Sequence, residues 1–143
     1  MSGIVKAVCI SEVKGQKRDI QKALFKKDWG LEGDVHGGPW HRQVSLLSFD
    51  KIKAFNDDGA GVNHGDFGEN LVVDGIDFRS LPVGTQLQCG QVVLEITQIG
   101  KDCPVRCGIY YKMGDCIMPR EGTFARVMEG GEICVGDALE IIA

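Results

Sequence analysis

The sequence runs Gln86-Leu-Gln-Cys-Gly-Gln-Val-Val-Leu-Glu-Ile-Thr-Gln98 in the region that decides the fold. Residues 86–89 and 92–98 are short runs with strand-forming side chains. Gly90 lies between them, where a tight turn favours a residue without a side chain. This arrangement predicts two paired β-strands joined by a turn.

Glycine extends this pattern along the whole chain. It supplies 20 of the 143 residues, roughly twice its usual share of ~7%. The glycines are dispersed, and they separate further short runs with β-branched or alternating residues: 4–10, 43–47, 70–73, 124–128, 132–135 and 138–142. The pattern predicts an all-β fold, a single-domain β-barrel that is closed or nearly closed, with one or two short helices.

Two segments bear on the helices. Ser48 is placed to cap a helix that runs to about Asn56. Ile52 and Phe55 are expected to face the core from that helix. Residues 14–27 are rich in charge, and the sequence leaves them open between a long hairpin arm and a short helix.

Composition and charge limit the class of protein. Residues 1–143 suit one domain, with 43% hydrophobic and 25% charged residues. The net charge of −4 and the pI near 5.3 argue against broad nucleic-acid binding. The first residues lack the layout of a signal peptide, and no apolar run approaches the ~20 residues that a membrane helix needs. We therefore expect a cytoplasmic protein without membrane contact, with its six cysteines reduced.

Four polar, glycine-rich segments are candidates for a functional site: 30–42, 63–70, 99–108 and 114–126. Segments this polar lie at the surface, where binding sites are usually built. They form a pocket if they converge at one mouth of the barrel.

The first segment places Asp34 and His36 two residues apart. A carboxylate beside an imidazole suits proton transfer or ligand orientation. The alternative is turn chemistry, in which Asp34 bonds the local backbone and His36 is solvated. Arg42 follows His41 and has the planar fork that holds a phosphate, although a surface ion pair is the alternative.

The second segment repeats this composition. Gly65 and Gly68 allow positive φ and a close approach by a ligand. Glu69 and Asn70 match the hydrogen bonds of a pterin-like or amide-like ligand. An Asx-type turn that leads into a strand is the alternative.

The third segment carries two thiols, Cys103 and Cys107, beside Lys101 and Arg106. Cationic neighbours stabilise a thiolate, which is the form that attacks, carries sulfur or binds a soft metal. One alternative is a structural zinc site that adds Cys116 and a fourth ligand from elsewhere, such as a histidine. The other is a pair of inert loop thiols.

Arg120, in the fourth segment, is available to an anion, whereas Arg126 lies in a strand pattern and is expected on the barrel exterior. The remaining cysteines lie in strand patterns and are predicted to be small core residues: Cys9, Cys89 and Cys134.

These segments, in this order, resemble the MOSC family, the module found at the C-terminus of molybdenum-cofactor sulfurases. The matching residues are Gly30-Leu-Glu-Gly-Asp-Val-His-Gly-Gly, His41-Arg-Gln-Val-Ser-Leu-Leu, Gly65-Asp-Phe-Gly-Glu-Asn-Leu, Gln98-Ile-Gly-Lys-Asp-Cys, Cys107, Gly114-Asp-Cys-Ile-Met-Pro-Arg-Glu-Gly and Phe124-Ala-Arg-Val. They cover about residues 25–143, and the chain is similar to the small stand-alone bacterial form of the module.

The resemblance implies a β-barrel that binds molybdopterin or its molybdenum complex. It also implies a cysteine that carries sulfur or ligates molybdenum. Distance to the Gly114-Asp115 turn favours Cys107 for this role, and Cys103 stays open. Pyridoxal phosphate is implied only by the separate desulfurase domain of larger sulfurases, which this chain is too short to contain.

The sequence thus predicts a protein that binds the molybdenum cofactor. The candidate catalytic residues are Cys107, Cys103, Asp34 and His36, and Cys107 is also the candidate metal ligand. The candidate cofactor-binding residues are Arg42, His41, Glu69, Asn70, Lys101, Arg106 and Arg120. Sulfur transfer needs partner proteins that load sulfur or deliver the cofactor. Two alternatives stay open: a non-catalytic molybdopterin carrier or chaperone, and a structural zinc or redox-thiol domain.

Overall fold

The computed structural model describes residues 2–13, 16–100 and 121–142. These residues contain eleven strands and one α-helix: β1 (Ser2–Ile10), β2 (Arg18–Asp19), β3 (Lys22–Lys26), β4 (Gly30–Leu31), β5 (Val44–Ser48), α1 (Phe49–Asp57), β6 (Leu71–Asp74), β7 (Gln86–Cys89), β8 (Val92–Ile99), β9 (Thr123–Glu129), β10 (Gly131–Cys134) and β11 (Ala138–Ile141). A 3₁₀ turn, Phe78–Ser80, lies between β6 and β7. The predicted β fold with one or two short helices is confirmed.

Seven strands close into a barrel, in the order β11-β7-β8-β9-β5-β6-β1, and β1 pairs back with β11. At the closure Gly3 lies opposite Leu139. The paired runs 86–89 and 92–98 of the sequence are β7 and β8, which are antiparallel as their turn requires. A smaller sheet, β10-β3-β4, lies beside the barrel strands.

β5 and β6 are parallel neighbours, with α1 in the connection between them. Parallel strands begin at the same edge of a sheet, so the segments that precede β5 and β6 arrive side by side. β1 is antiparallel to β6, and it therefore ends at that same edge. This arrangement brings three otherwise distant parts of the chain to one end of the barrel.

Two packed clusters hold these elements. The barrel interior is filled by alternate residues of the strands, as in β8, where Val92, Leu94 and Ile96 are fully buried. The second cluster packs Ile52 and Phe55 of α1 against outward-facing residues of the barrel. The predicted core face of this helix is confirmed.

Two local predictions differ from the structure. Ser48 precedes α1 as expected, but its hydroxyl donates to the Ile76 carbonyl (2.6 Å) instead of capping the helix. Residues 18–19 and 22–26 form β2 and β3, so the helix alternative for 14–27 is wrong. No helix within the described ranges is long and apolar enough to cross a membrane.

The cysteines that the structure describes are poor nucleophiles. Cys9 and Cys89 are buried, as predicted, and burial raises the pKa of both thiols, that of Cys89 to about 11. The prediction is wrong for Cys134, which is only partly buried, with its Sγ donating to Oε1 of Glu132 (3.4 Å). Desolvation, followed by that carboxylate, also raises the pKa of the Cys134 thiol.

Candidate functional site

The loops 30–42 and 63–70 meet at the barrel end where β1 finishes and where β5 and β6 begin. Asn70 Nδ2 donates a hydrogen bond to Asp34 Oδ2 at 3.1 Å, across 36 residues of sequence. The same amide nitrogen donates to the Cys9 carbonyl at the end of β1 (3.0 Å). Two of the four polar segments are therefore joined directly.

Asp34 is the centre of this junction, and its side chain has no solvent exposure. Its Oδ1 accepts from the Lys17 ammonium (2.7 Å) and from the Ser11 backbone N–H (3.0 Å). Its Oδ2 accepts from Asn70 and, over a longer 3.4 Å contact, from the backbone N–H of His36. Four donors thus satisfy a buried carboxylate, which favours a positioning role over that of a free base.

Lys17 is a site residue that the sequence did not indicate. Its side chain is fully buried, and its Nζ lies between Asp34 Oδ1 and His36 Nδ1, 2.8 Å from the latter. Its backbone N–H donates to the Gly65 carbonyl (2.7 Å), which ties it to the second loop as well. In the sequence it is one of several lysines in a charged stretch, so nothing local marks it as buried.

His36 lies at the edge of this cluster, with 32% of its side chain exposed. Its ring stacks on Trp40, with centroids 6.3 Å apart, and its backbone carbonyl accepts from the Trp40 indole N–H (2.8 Å). The Asp34 carboxylate is 3.9 Å from Nδ1, too far for a hydrogen bond. Lys17, and not Asp34, is therefore the group that bonds this ring nitrogen.

Asn70 uses its whole amide within the protein. Its two N–H groups serve Cys9 and Asp34, and its Oδ1 accepts from both the backbone N–H (2.9 Å) and the hydroxyl (3.2 Å) of Ser45. A carboxamide offers two donors and two acceptor sites, and all four are filled. Ligand contact by Asn70 stays a prediction, and the geometry favours a role in holding the loops together.

Glu69 is also fully buried. Its Oε1 accepts from the Phe67 N–H (3.1 Å), while Oε2 has no hydrogen-bond partner among the described residues. Burial raises the pKa of this carboxyl from 4.5 to about 7, although backbone hydrogen bonds oppose the rise. The side chain therefore stays largely neutral in weakly acidic solution.

The guanidinium of Arg42 lies over two aromatic rings. Its guanidinium carbon lies 4.8 Å from the centroid of the Trp40 ring and 5.5 Å from that of Phe124. Its Nε is buried and has no hydrogen-bond partner in the described part of the chain. A guanidinium fixed by stacking, with a donor unused by the protein, suits a ligand that brings an acceptor.

His41 connects this region to the start of the cysteine segment. Its Nε2 and the Gln98 side-chain oxygen are 2.9 Å apart, and the Gln98 amide donates to the Gly100 carbonyl (2.9 Å). The backbone N–H of Gly100 in turn donates to the Gly122 carbonyl (2.6 Å). Gly100 and Gly122, which flank the 101–120 segment, thus lie together, and Gly100 is joined to His41 through Gln98.

Five predicted site residues lie outside the described residues: Lys101, Cys103, Arg106, Cys107 and Arg120. Arg126 is exposed and pairs with Asp28 (2.7 Å), as expected for a charge on the barrel exterior. Within residues 2–13, 16–100 and 121–142, no three His, Cys, Asp or Glu side chains come close enough to hold a metal ion.

The electrostatic balance of the described site suits an oxygen-rich anion. Lys17 neutralises Asp34, and burial keeps Glu69 largely protonated in weakly acidic solution. Among the described residues, Arg42 forms no ion pair with a carboxylate and its Nε has no hydrogen-bond partner. These residues fit a phosphate-bearing ligand, which the stacked guanidinium would hold by charge-assisted hydrogen bonds.

Residues 32–140 match the MOSC domain family. This chain belongs to the MOSC family. The family is associated with the molybdenum cofactor, and the resemblance seen in the sequence is thereby confirmed. A comparison with curated protein sequences gives no significant match.

Solved structures show the same barrel. The YuaD protein from Bacillus subtilis superposes with a TM-score of 0.81 at 19% identity, covering 99% of this chain and 96% of its own. YiiM from Escherichia coli gives a TM-score of 0.71 at 17% identity, over 100% and 70% of the two chains. YiiM from Geobacillus stearothermophilus gives 0.67 at 16%, over 99% and 73%. At this identity the likeness of this MOSC protein to them is one of fold.

Proposed function

We propose that this MOSC protein binds the molybdenum cofactor through the molybdopterin part, at the rim formed by loops 30–42 and 63–70. The observation that carries the proposal is the guanidinium of Arg42, which lies over the rings of Trp40 and Phe124 and whose buried Nε donor has no partner among the described residues. Molybdopterin carries a phosphate, and a planar guanidinium recognises phosphate by paired hydrogen bonds.

The other rim residues complete a binding surface for such a ligand. His36 and His41 contribute imidazoles on either side of Trp40, whose ring contacts both of theirs. Asp34 and Asn70 hold the two loops in register. Glu69 is the buried acid of the second loop and is mostly neutral in weakly acidic solution. We assign phosphate binding to Arg42, with Lys101, Arg106 and Arg120 as further predicted contacts to anionic oxygens.

The bound cofactor would supply a dithiolene and an oxidised molybdenum centre. Cys107 is proposed to ligate this metal or to carry sulfur as a persulfide, and Cys103 is the second candidate thiol. In sulfur loading, the cysteine thiolate attacks the outer sulfur of a partner's persulfide, and the partner leaves as a thiolate. Cations beside the thiol in sequence support this role, since they stabilise the attacking thiolate.

A non-catalytic carrier of molybdopterin is the second candidate function. It is favoured by the saturation of Asp34, whose two oxygens accept four hydrogen bonds, so that this carboxylate is not placed to act as a free base. A carrier needs the binding residues but no reactive thiol. The two functions therefore differ at Cys107 and agree at Arg42.

Binding of purified molybdopterin to the full chain tests both. We expect Arg42→Gln to weaken binding at least about tenfold, the loss of one or two charge-assisted hydrogen bonds. Arg126→Gln, the same change at an exposed arginine of the exterior, is expected to alter the affinity less than about twofold. Equal affinities for the two variants would end the cofactor proposal.

Cys107→Ser separates the two functions. For sulfur transfer, native mass spectrometry of protein from its own host should find one added sulfur atom on the wild-type chain and none on the variant. Cofactor binding and the biological role both kept by the variant would favour the carrier and exclude thiol chemistry.

A further inference from the structure

Lys17 changes the chemistry of the Asp34–His36 pair. In a simple carboxylate–imidazole pair, the carboxylate accepts the hydrogen of the nearer ring nitrogen, and the other nitrogen is left as a base. Here the Lys17 ammonium lies between the two groups, 2.7 Å from Asp34 Oδ1 and 2.8 Å from His36 Nδ1. Its side chain and that of Asp34 are fully buried, so water does not compete for these bonds.

The hydrogen-bonding capacities decide which ring nitrogen carries the hydrogen. An ammonium group only donates, and a carboxylate only accepts. The contact between Lys17 Nζ and His36 Nδ1 is therefore a hydrogen bond in which Nδ1 accepts. A neutral imidazole that accepts at Nδ1 carries its hydrogen at Nε2.

We propose that Lys17 is a positioning residue that fixes His36 in the Nε2–H tautomer, so that Nε2 of the ring can meet a hydrogen-bond acceptor but not a donor. The ligand atom that meets His36 is then an acceptor, such as an oxygen of a phosphate or oxo group. The tautomer stands on the geometry alone, whereas the ligand's identity rests on the proposed molybdopterin binding.

The surroundings of Lys17 are built to hold it in place. Its backbone N–H is bonded to Gly65, and a Cβ at Gly65 would lie 2.1 Å from the Lys17 carbonyl oxygen. Asp34, its partner, is itself fixed by Ser11 and Asn70. The ammonium is therefore placed by both loops, and no large rearrangement is needed when a ligand arrives.

Nitrogen-15 NMR of the histidine rings in the full chain tests the tautomer without any ligand. Long-range proton–nitrogen correlations distinguish the two tautomers from each other and from the cation, and His36→Gln assigns the signals. We expect wild-type His36 to be the Nε2–H form at neutral pH. An Nδ1–H form in the wild type would overturn the inference. Because this measurement uses the wild-type protein, it does not depend on whether a Lys17 variant folds.

The Lys17 variants show whether that residue is the cause. Lys17→Met removes the ammonium and leaves Asp34 facing Nδ1, so we expect the ring hydrogen to move to Nδ1 or the ring to become a cation. Lys17→Arg keeps a pure donor and should keep the Nε2–H form. Lys22→Met, at an exposed lysine of β3, is the control and should change nothing. An unchanged His36 spectrum in a folded Lys17→Met protein would refute the assignment.

Binding of purified molybdopterin separates this inference from the proposed function. We expect Lys17→Met to lower the affinity for molybdopterin about tenfold. In this variant Nε2 of His36 becomes an acceptor, or the ring becomes a cation that Lys17 no longer holds in place. If the tautomer is as inferred but wild-type protein binds no molybdopterin, the positioning role of Lys17 stands and the cofactor proposal fails. If molybdopterin binding depends on Arg42 but wild-type His36 is in the Nδ1–H form, the cofactor proposal stands and the positioning role of Lys17 fails.

Discussion

Glu69 is a carboxylic acid with no solvent exposure and one oxygen without a hydrogen-bond partner among the described residues. Burial raises its pKa to about 7, because the charged form loses its hydration and gains only backbone donors. The unfolded chain has no such burial, and there the carboxyl titrates near 4.5. The two states therefore bind different numbers of protons between these pH values.

This difference predicts how stability depends on pH. Because the folded state binds more protons at Glu69, the contribution of this residue to the free energy of unfolding is highest below pH 4.5, falls as pH rises to about 7, and is level above. The pKa rise corresponds to about 3 kcal/mol. Glu69→Gln, which is neutral at every pH, should remove this fall and be more stable than the wild type at pH 8, as measured by urea unfolding.

The control for this experiment is Glu32→Gln. The Glu32 side chain is 57% exposed, and its carboxylate lies 3.8 Å from the Lys26 ammonium. The Glu32→Gln variant loses the same charge at an exposed position, so the stability of this variant should follow the wild-type pH profile. If the stability of Glu69→Gln also followed the wild-type pH profile, Glu69 would have to be ionised in the folded protein across the range from pH 4.5 to about 7.

The site illustrates what single residues reveal in a sequence. Asp34 and His36 lie two residues apart in a glycine-rich motif, and this spacing indicated that they are partners. Lys17 lies 17 residues before Asp34, and its burial depends on a backbone contact with Gly65 far along the chain. No local pattern encodes such a contact. The sequence therefore predicted the imidazole and the carboxylate but not the cation between them, which decides their chemistry.

At the scale of elements, the site depends on how closely the 63–68 loop approaches Lys17, the residue directly before β2. Gly65 has φ +94°, and a Cβ there would meet the Lys17 carbonyl oxygen at 2.1 Å. Gly59, just after α1, has a similar φ of +99° but nothing within 4 Å of an added Cβ. The two glycines share the backbone cost and differ in the space around them.

A pair of alanine substitutions should separate these two effects. Gly59→Ala places a side chain only at a positive φ, and we expect it to lower the free energy of unfolding by about 1 kcal/mol. Gly65→Ala must also displace the Lys17 backbone, and a loss of roughly 3 kcal/mol is expected. Both are measured by urea unfolding, and the His36 NMR signal should change only in Gly65→Ala. Equal losses would show that the close approach does not constrain the loop.

The elements also differ in how far the sequence predicts them. β7 and β8 are joined by a short turn at Gly90, so their pairing is local and was predicted. The parallel pairing of β5 with β6 joins residues 25 positions apart, as Leu46 with Leu71, and depends on the rest of the barrel. Ser48 precedes its helix as predicted, yet its hydroxyl bonds the chain near Ile76, a partner that tertiary packing supplies.

At the scale of the whole molecule, the barrel is closed by the first and last strands that the structure describes. β1 pairs with β6 on one side and β11 on the other, and Val5 exchanges backbone hydrogen bonds with Gly136 and Asp137. Leu139 of β11 lies opposite Gly3 and is fully buried in the barrel interior. The core therefore depends on contacts between residues more than 130 positions apart.

Truncating the closing strand's core side chain should destabilise the entire barrel. We expect Leu139→Ala to lower the free energy of unfolding by about 3 kcal/mol through the cavity that it leaves. Leu24→Ala removes the same atoms from a side chain that is 45% exposed and should cost less than about 1 kcal/mol. Urea midpoints with unchanged slopes measure both.

The same variant also tests whether barrel closure affects the site. β11 pairs with β1 at the Ser2–Ile4 end, remote in register from Cys9 at the site, so the folded Leu139→Ala protein should keep the wild-type His36 tautomer. A changed tautomer would instead mean that barrel closure sets the geometry around Lys17.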